Sequence, residues 1–223
     1  GLESGECEYQ GTFVRQPRVP IRPAPFKSFR GRTYAAAVSP ESARVMAELG
    51  VGLLLIPQKP WPEHARELEA YRAIFREVNG REAPPPVVAC WTFCDPDAER
   101  ARAEARRWIG GYFRTVLEHY HFERDHLART PGYEYYGRMA EKIRDYGVER
   151  VTEFFVDLQV WGTPEQCYQR ILDIRARIGQ DTFVGVFSYA GMPWAEAERN
   201  LRLFAREVLP ELQRLEHPAP APA

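Results

Sequence analysis

Short apolar runs alternate with longer amphipathic segments along most of the chain. Four runs predict strands that are buried on both faces, because apolar residues follow one another without polar alternation. These runs are residues 33–38, 51–56, 86–93 and 182–187. Apolar residues at spacings of three and four predict helices at 40–49, 63–79, 97–120, 135–146, 164–178 and 195–215. Residues 148–160 are ambiguous, and we favour a helix there. Pro210 is expected to kink the last helix.

The strand–helix order predicts an α/β fold with a parallel sheet. Four such strands cannot close a (β/α)8 barrel, which needs eight strands and about 250 residues. Three arrangements stay open on this count. They are a small open sheet, a half-barrel that pairs with another chain, and a fragment of a full barrel.

The two ends of the chain differ from its middle. Residues 1–32 are basic and rich in proline, which predicts an irregular, extended surface connector; an arm that touches a phosphate or a partner is the alternative. Residues 33–216 form the predicted domain, and the PAPAPA tail at 217–223 is expected to be disordered. The first residue is Gly rather than Met, and we expect the chain to begin inside a longer gene product.

Proline follows Ser39, Asp95, Thr163 and Met192, which predicts a proline at the first position of four helices. Thr163 and Gln166 also have the spacing of a capping box. These dipeptides are sufficiently explained as helix starts.

Composition excludes several classes of function. The chain has 223 residues, 44% hydrophobic residues and a net charge of −1, so it has no basic footprint for nucleic acid. No apolar run is long enough to span a membrane. The four cysteines are too sparse for a disulfide framework, and we expect a cytoplasmic protein with reduced thiols. Cys90 and Cys94 would share one strand face, which favours packing over metal binding. His119, His121 and His126 do not share a helix face, so we expect surface histidines and no metal site.

The ends of the predicted strands are poor in acid–base groups. We find no Ser–His–Asp arrangement, no Gly-x-Ser-x-Gly elbow, no phosphate-binding Walker loop and no dinucleotide fingerprint. A metal-dependent hydrolase would need His or carboxylate clusters, which are missing. The start of the first helix offers the hydroxyls of Ser39 and Ser42 and the N–H groups of Glu41 and Ser42, where a phosphate could dock. Apolar side chains at other strand ends could line a ligand pocket or simply pack in the core: Trp91, Phe93, Tyr189 and Met192.

Three stretches carry a family resemblance: AAAVSPESARVMAELGVGLLLIPQKP at 35–60, WGTPEQCYQRILDIRARIG at 161–179 and FVGVFSYAGMPWAEAERNLRLFAREVLPEL at 183–212. With the early stretch 5–26, they resemble the C-terminal half of the bacterial-luciferase-like flavin-dependent monooxygenases. The resemblance implies strands five to eight of a TIM-type (β/α)8 barrel. It also implies reduced FMN or a deazaflavin as cofactor, oxygen and a small organic substrate, and a separate flavin reductase as partner. The half that usually carries the acid–base His is absent.

Carried over by motif, Ser39, Pro40, Glu41 and Ser42 match the turn on the phosphate side of the flavin. Ser188, Gly191 and Met192 match the loop near the flavin ring or substrate, and Gln58 and Trp91 lie at matching strand ends. The sequence thus predicts a flavin-dependent monooxygenase. The alternative is a non-catalytic half-barrel subunit or flavin-binding module. We expect the chain to form a homo-oligomer or to pair with a missing half-barrel.

Overall fold

The computed structural model describes residues 1–29, 31–37, 39–122, 129–130 and 134–215. The strands are β1 (Glu6–Gln10), β2 (Arg15–Pro20), β3 (Tyr34–Ala36), β4 (Gly52–Leu55), β5 (Val87–Cys94), β6 (Val160–Gly162) and β7 (Thr182–Val186). The helices are α1 (Pro40–Glu48), α2 (Trp61–Asn79), α3 (Ala98–His119), α4 (Glu134–Tyr146), α5 (Val148–Asp157), α6 (Pro164–Ile178), α7 (Trp194–Glu207) and α8 (Leu209–Gln213). None of these helices is long and apolar enough to cross a bilayer.

The central sheet is parallel and confirms the predicted α/β class. β3 pairs with β4, and β4 pairs with β5, whose Val87 and Val88 face Leu54 and Leu55. β7 pairs with the same part of β5, so β4 and β7 lie on its opposite edges. The strands β3, β4, β5 and β7 are therefore neighbours in the order of the chain. The short strand β6 pairs with the last three residues of β5.

The two faces of the sheet are covered differently. One face is sealed by α1, α2, α6 and α7 against a core that includes Leu53, Val88 and Cys90. On the other face, α3 and α5 cover the carboxyl-terminal part of β5 at Trp91 and Phe93. Four side chains at the amino-terminal end of that second face are only partly covered: Ala36, Leu54, Ala89 and Val184. Val184 keeps 40% of its surface exposed. One face of the sheet is therefore fully covered by helices, and the other, which we call the half-covered sheet face, is covered only at its carboxyl-terminal end.

The end of β5 is fixed by a side chain from α7. The buried Asn200 accepts a hydrogen bond from the Cys94 N–H (2.8 Å) and donates one to the Thr92 carbonyl (2.9 Å). Cys94, like Cys90, lies in the core on the helix-covered face, as its spacing predicts. Burial raises the pKa of the Cys90 thiol, which keeps it neutral.

Two segments differ from the predicted elements. The N-terminal segment is extended and largely exposed, but its residues 6–20 form an antiparallel hairpin rather than an irregular connector. Its exposed strands tolerate Pro17 and Pro20 because an edge strand does not need every N–H. The predicted helix at 148–160 ends at Asp157, and the strand β6 follows it, since Val160–Gly162 pairs with the protruding end of β5. The proposed tail at 217–223 lies outside the described residues.

The predicted helix starts are correct at two positions and wrong at two. Ser39 and Thr163 cap α1 and α6, and Thr163 and Gln166 form the full capping box. The helix α3 is capped by Asp97 rather than Asp95, so Pro96 lies before the helix instead of at its first position. α7 begins after Pro193. The last predicted helix is interrupted at Val208, two residues before Pro210, and continues as α8.

Candidate functional site

The strand register brings the predicted site residues to one end of the sheet. Leu54 lies opposite Val87, and Trp91 lies opposite Val186. Gln58 follows the end of β4 by three residues and lines the same cavity as Trp91. The helix α1 begins at Pro40, four residues after the end of β3. The α1 start, Gln58 and Trp91 therefore share the edge where the parallel strands end, which is where α/β folds bind ligands.

The α1 start has fewer free donors than the sequence predicts. The Ser39 hydroxyl accepts a hydrogen bond from the Ser42 N–H (3.2 Å) and donates one to the Ser42 hydroxyl (3.1 Å). The predicted free N–H of Ser42 is thus already used, because Ser39 caps the helix. The Ser42 hydroxyl proton stays available, and no described residue accepts from the Glu41 N–H. Two donors remain at a positive helix end.

An aromatic cavity of about 240 Å³, the inner cavity, lies beside Trp91. The Trp91 ring lies 4.2 Å from that of Tyr112, and Phe113 stacks on Phe155 at 4.4 Å between ring centroids. Burial, followed by the influence of Tyr120, raises the pKa of Tyr112, so its phenol stays protonated and can donate a hydrogen bond. The lining residues are Ile56, Gln58, Trp91, Tyr112, Phe113, Val116, Tyr120, Phe122, Tyr136, Met139 and Phe155.

A second cavity of about 340 Å³, the outer cavity, adjoins the first. Both cavities are lined by Gln58, Phe113, Met139 and Phe155. The remaining lining residues of the outer cavity are Pro60, Lys142, Tyr146, Arg150, Val151 and Phe154. The helices α3, α4 and α5 thus build one continuous apolar wall beyond the strand ends.

Gln58 is the polar side chain common to both cavities. None of the described residues forms a hydrogen bond with its side-chain amide, so the amide can bind a ligand. Its neighbour Lys59 is buried and pairs with Glu67 at 2.6 Å. His64 is also buried, and desolvation together with the nearby Lys59 charge lowers its pKa to about 4. At neutral pH His64 is therefore uncharged.

The loop after β7 contains the remaining predicted residues. Tyr189 donates a hydrogen bond to the Thr92 carbonyl at 3.1 Å, and Met192 is buried in the core around Trp91. Ser188 and Gly191 are exposed. The backbone has positive φ at Ala190 (54°) and Gly191 (71°), a conformation that costs a non-glycine residue roughly 1–2 kcal/mol. None of the predicted residues of this loop lines either cavity.

A charged network between β5, α3 and α7 is absent from the sequence prediction. The buried Asp95 contacts Arg100 and also Arg199 (2.5 Å). Both arginines also contact Glu196, at 2.9 Å and 2.6 Å. The sequence predicts only a helix start at Asp95, and the Asp95 side chain does accept a hydrogen bond from the Asp97 N–H. The missed signal is the spacing of Glu196 and Arg199, which share one face of α7.

The predicted surface histidines can be placed only in part. His119 and His121 are exposed, and His126 lies outside the described residues.

A family model described as luciferase-like monooxygenase matches residues 1–182. No curated protein matches the chain. Among solved structures, the chain resembles the monooxygenase RslO1 from Streptomyces bottropensis. The sequence identity is 21% and the TM-score 0.59, over 92% of this chain and 55% of that one.

Two further structures are similar. One is the oxygenating constituent of 3,6-diketocamphane monooxygenase from Pseudomonas putida, solved in complex with FMN (19% identity, TM-score 0.60, 97% of this chain and 60% of that one). The other is the coenzyme F420 dependent tetrahydromethanopterin reductase from Methanopyrus kandleri (20% identity, TM-score 0.58, 95% of this chain and 59% of that one). At this identity the likeness shows a shared fold. The chain spans between half and two thirds of the length of these proteins.

Proposed function

Because the chain belongs to the family of luciferase-like monooxygenases, we propose that it is the C-terminal half-barrel of a flavin-dependent monooxygenase. It would supply strands five to eight of a (β/α)8 barrel and take reduced FMN or a deazaflavin as cofactor. The observation that carries the proposal is that the α1 start and Gln58 follow the carboxyl ends of two parallel strands and that Gln58 lines one cavity with Trp91. The FMN of one structural relative and the coenzyme F420 of another support the cofactor class.

The α1 start fits the phosphate end of such a cofactor. The Ser42 hydroxyl and the Glu41 N–H can both donate to a phosphate oxygen, and the helix end favours negative charge. Ser39 acts indirectly, because its two hydrogen bonds fix the position of the Ser42 hydroxyl. Pro40 contributes no N–H but preorganises the first turn. The exposed Glu41 carboxylate can point to solvent.

The inner cavity fits a small, mainly apolar organic substrate. Its aromatic side chains exclude water, and Gln58 and the protonated Tyr112 phenol can orient a polar group. A bound reduced flavin would supply the electrons with which oxygen is activated, and a separate reductase would restore it. Ser188, Gly191 and Met192 follow β7 at the same end of the sheet but line neither cavity, so their place near the flavin ring or substrate stays a prediction. We assign the inner cavity to holding the substrate and keeping water away from it.

The first experiment is a titration of the purified chain with FMN, with and without dithionite, followed by flavin fluorescence. We expect saturable binding that Ser42→Ala weakens by about tenfold or more, since a hydrogen bond to a charged group contributes about 1.5–3 kcal/mol. Unchanged binding by Ser42→Ala would refute the phosphate assignment.

The control for Ser39→Ala is Thr163→Ala. Both substitutions remove a helix cap, with a typical loss of about 1 kcal/mol of stability. Only Ser39→Ala should also weaken FMN binding, because Ser39 holds the Ser42 hydroxyl, whereas Thr163 caps α6 and takes no part in the proposed phosphate site. Equal effects of the two variants on FMN binding would mean that general destabilisation, and not a phosphate site, explains the loss.

A non-catalytic flavin-binding half-barrel is the second candidate. The half-covered sheet face at Ala36, Leu54, Ala89 and Val184 fits it as well as the first candidate, because in both cases further chain is needed to bury that face. Oxygen consumption separates the candidates. A monooxygenase half should restore substrate-dependent oxygen uptake when its missing half is added, whereas a binding module should bind FMN without it.

A further inference from the structure

The mouth of the outer cavity combines an apolar floor with two basic side chains. Phe113, Phe155 and Val151 form its buried floor. Lys142 from α4 and Arg150 from α5 are exposed at its rim. The described lining contains no carboxylate. The cavity therefore presents positive charge above an apolar surface.

Neither basic side chain is neutralised by the described part of the protein. No described carboxylate forms an ion pair with Lys142 or Arg150, and the Arg150 guanidinium lies 5.6 Å from the centre of the Tyr146 ring. The carboxylates on either side of Arg150 in sequence bind α3 instead. Glu149 pairs with Arg114 at 2.7 Å, and Glu153 pairs with Arg106 at 3.7 Å. The arrangement leaves both rim cations available to a ligand anion.

The outer cavity leads toward the inner cavity. Phe113, Met139 and Phe155 line both, and Gln58 stands between them with a free amide. Among the described residues, a ligand that enters at the cations would pass Phe113, Met139, Phe155 and the Gln58 amide before reaching Trp91. Such a path suits a molecule with one anionic end and an apolar body.

We propose that the outer cavity binds the anionic group of an apolar organic acid, an aliphatic or aryl carboxylate, and directs its apolar body toward the inner cavity. The assignment of this acid as the substrate rests on the proposed function. Binding of the acid itself depends only on the outer cavity.

The test is calorimetric titration of the purified chain with octanoate, 1-octanol and octylamine. We expect octanoate to bind about tenfold more tightly than the neutral or cationic probe, with an affinity that falls as sodium chloride is added. From butanoate to octanoate, affinity should rise about two- to fourfold per methylene as more of the body is buried.

Charge-removing variants identify the anion's position. Lys142→Gln and Arg150→Gln should each weaken octanoate binding by up to about fivefold, as expected for partly exposed ion pairs. Both variants should change 1-octanol binding by less than about twofold. Arg206→Gln, an exposed arginine on α7, should leave both ligands unaffected.

Equal affinity for octanoate and 1-octanol, or octanoate binding that is insensitive to both rim variants, would overturn the proposal. The FMN titration of the same samples separates it from the proposed function. FMN binding without an anion preference refutes only the outer-cavity proposal. A charge-dependent octanoate site in a chain that binds no flavin supports this site and refutes the assignment of the flavin phosphate to the α1 start.

Discussion

Asn200 is the side chain on which the geometry of the β5 end depends most directly. It is fully buried, and it binds both the Cys94 N–H and the Thr92 carbonyl. Removing its amide in Asn200→Ala leaves the Cys94 N–H without a partner in the core, whereas the Thr92 carbonyl keeps the hydrogen bond from Tyr189. A buried unsatisfied group costs about 1–3 kcal/mol and a lost hydrogen bond about 1 kcal/mol, so we expect a loss of about 2–4 kcal/mol in the free energy of unfolding. This is a large part of the 5–15 kcal/mol typical of a domain.

Asn79 provides a matched control for this substitution. Its amide also donates two hydrogen bonds to backbone carbonyls, those of Ala47 (2.8 Å) and Phe75 (2.9 Å), but it is only partly buried at the end of α2. Water can replace the lost partner there, so Asn79→Ala should cost about 1 kcal/mol.

The assay is urea denaturation of the parent chain, Asn200→Ala, Asn79→Ala and Asn200→Leu, followed by circular dichroism. Asn200→Leu, which keeps the branched shape but neither hydrogen bond, should be at least as destabilising as Asn200→Ala because it also keeps water out. If Asn200→Ala lost no more stability than Asn79→Ala, the claim that burial sets the cost would be refuted.

Two further predictions concern pH and association. The pKa of His64 is about 4 in the folded chain and about 6.5 when unfolded, so the unfolded state binds more protons between these values. Stability should therefore fall by up to about 3 kcal/mol as pH drops from 6.5 to 4; His64→Leu should abolish this slope in urea titrations, and an unchanged slope would contradict the assignment. Val184 keeps 40% of its surface exposed on the half-covered sheet face, so the isolated chain should self-associate in light scattering. Val184→Lys should shift it toward the monomer, and a monomeric parent chain would disprove the expectation.

Local patterns predict most of the elements around the sheet. The apolar runs locate the ends of β3, β4, β5 and β7 to within two residues, because strands buried on both faces need no polar alternation. The three-residue β6 cannot be predicted in this way, because its run is too short to show a pattern and its strand conformation depends on pairing with the last residues of β5. The prolines of the N-terminal segment argue against strands in the sequence, but the exposed edge strands of a two-stranded hairpin accommodate them.

The candidate site is predictable where it depends on strand ends and not where it depends on helix packing. The cap at Ser39 and the position of Trp91 follow from the sequence motifs. The cavity wall formed by Tyr112, Met139 and Phe155 does not, because it depends on three helices meeting after the chain has folded. Asp95 shows the same limit, since its arginine partner on α7 is distant in sequence.

The order of the strands has a consequence during synthesis on the ribosome. The strands β3 and β4 are neighbours in the sheet and are connected by α1, so they can pair soon after they are synthesised. β5, the longest strand of the sheet, gains one neighbour at once but meets β7 only after α3, α4, α5, β6 and α6 have been synthesised. At roughly 5–20 residues per second, the edge of β5 that receives β7 stays without that partner for about 5–20 seconds in the nascent chain. Apolar residues near that edge, Val88 and Trp91 among them, are then open to chaperones before the sheet is complete.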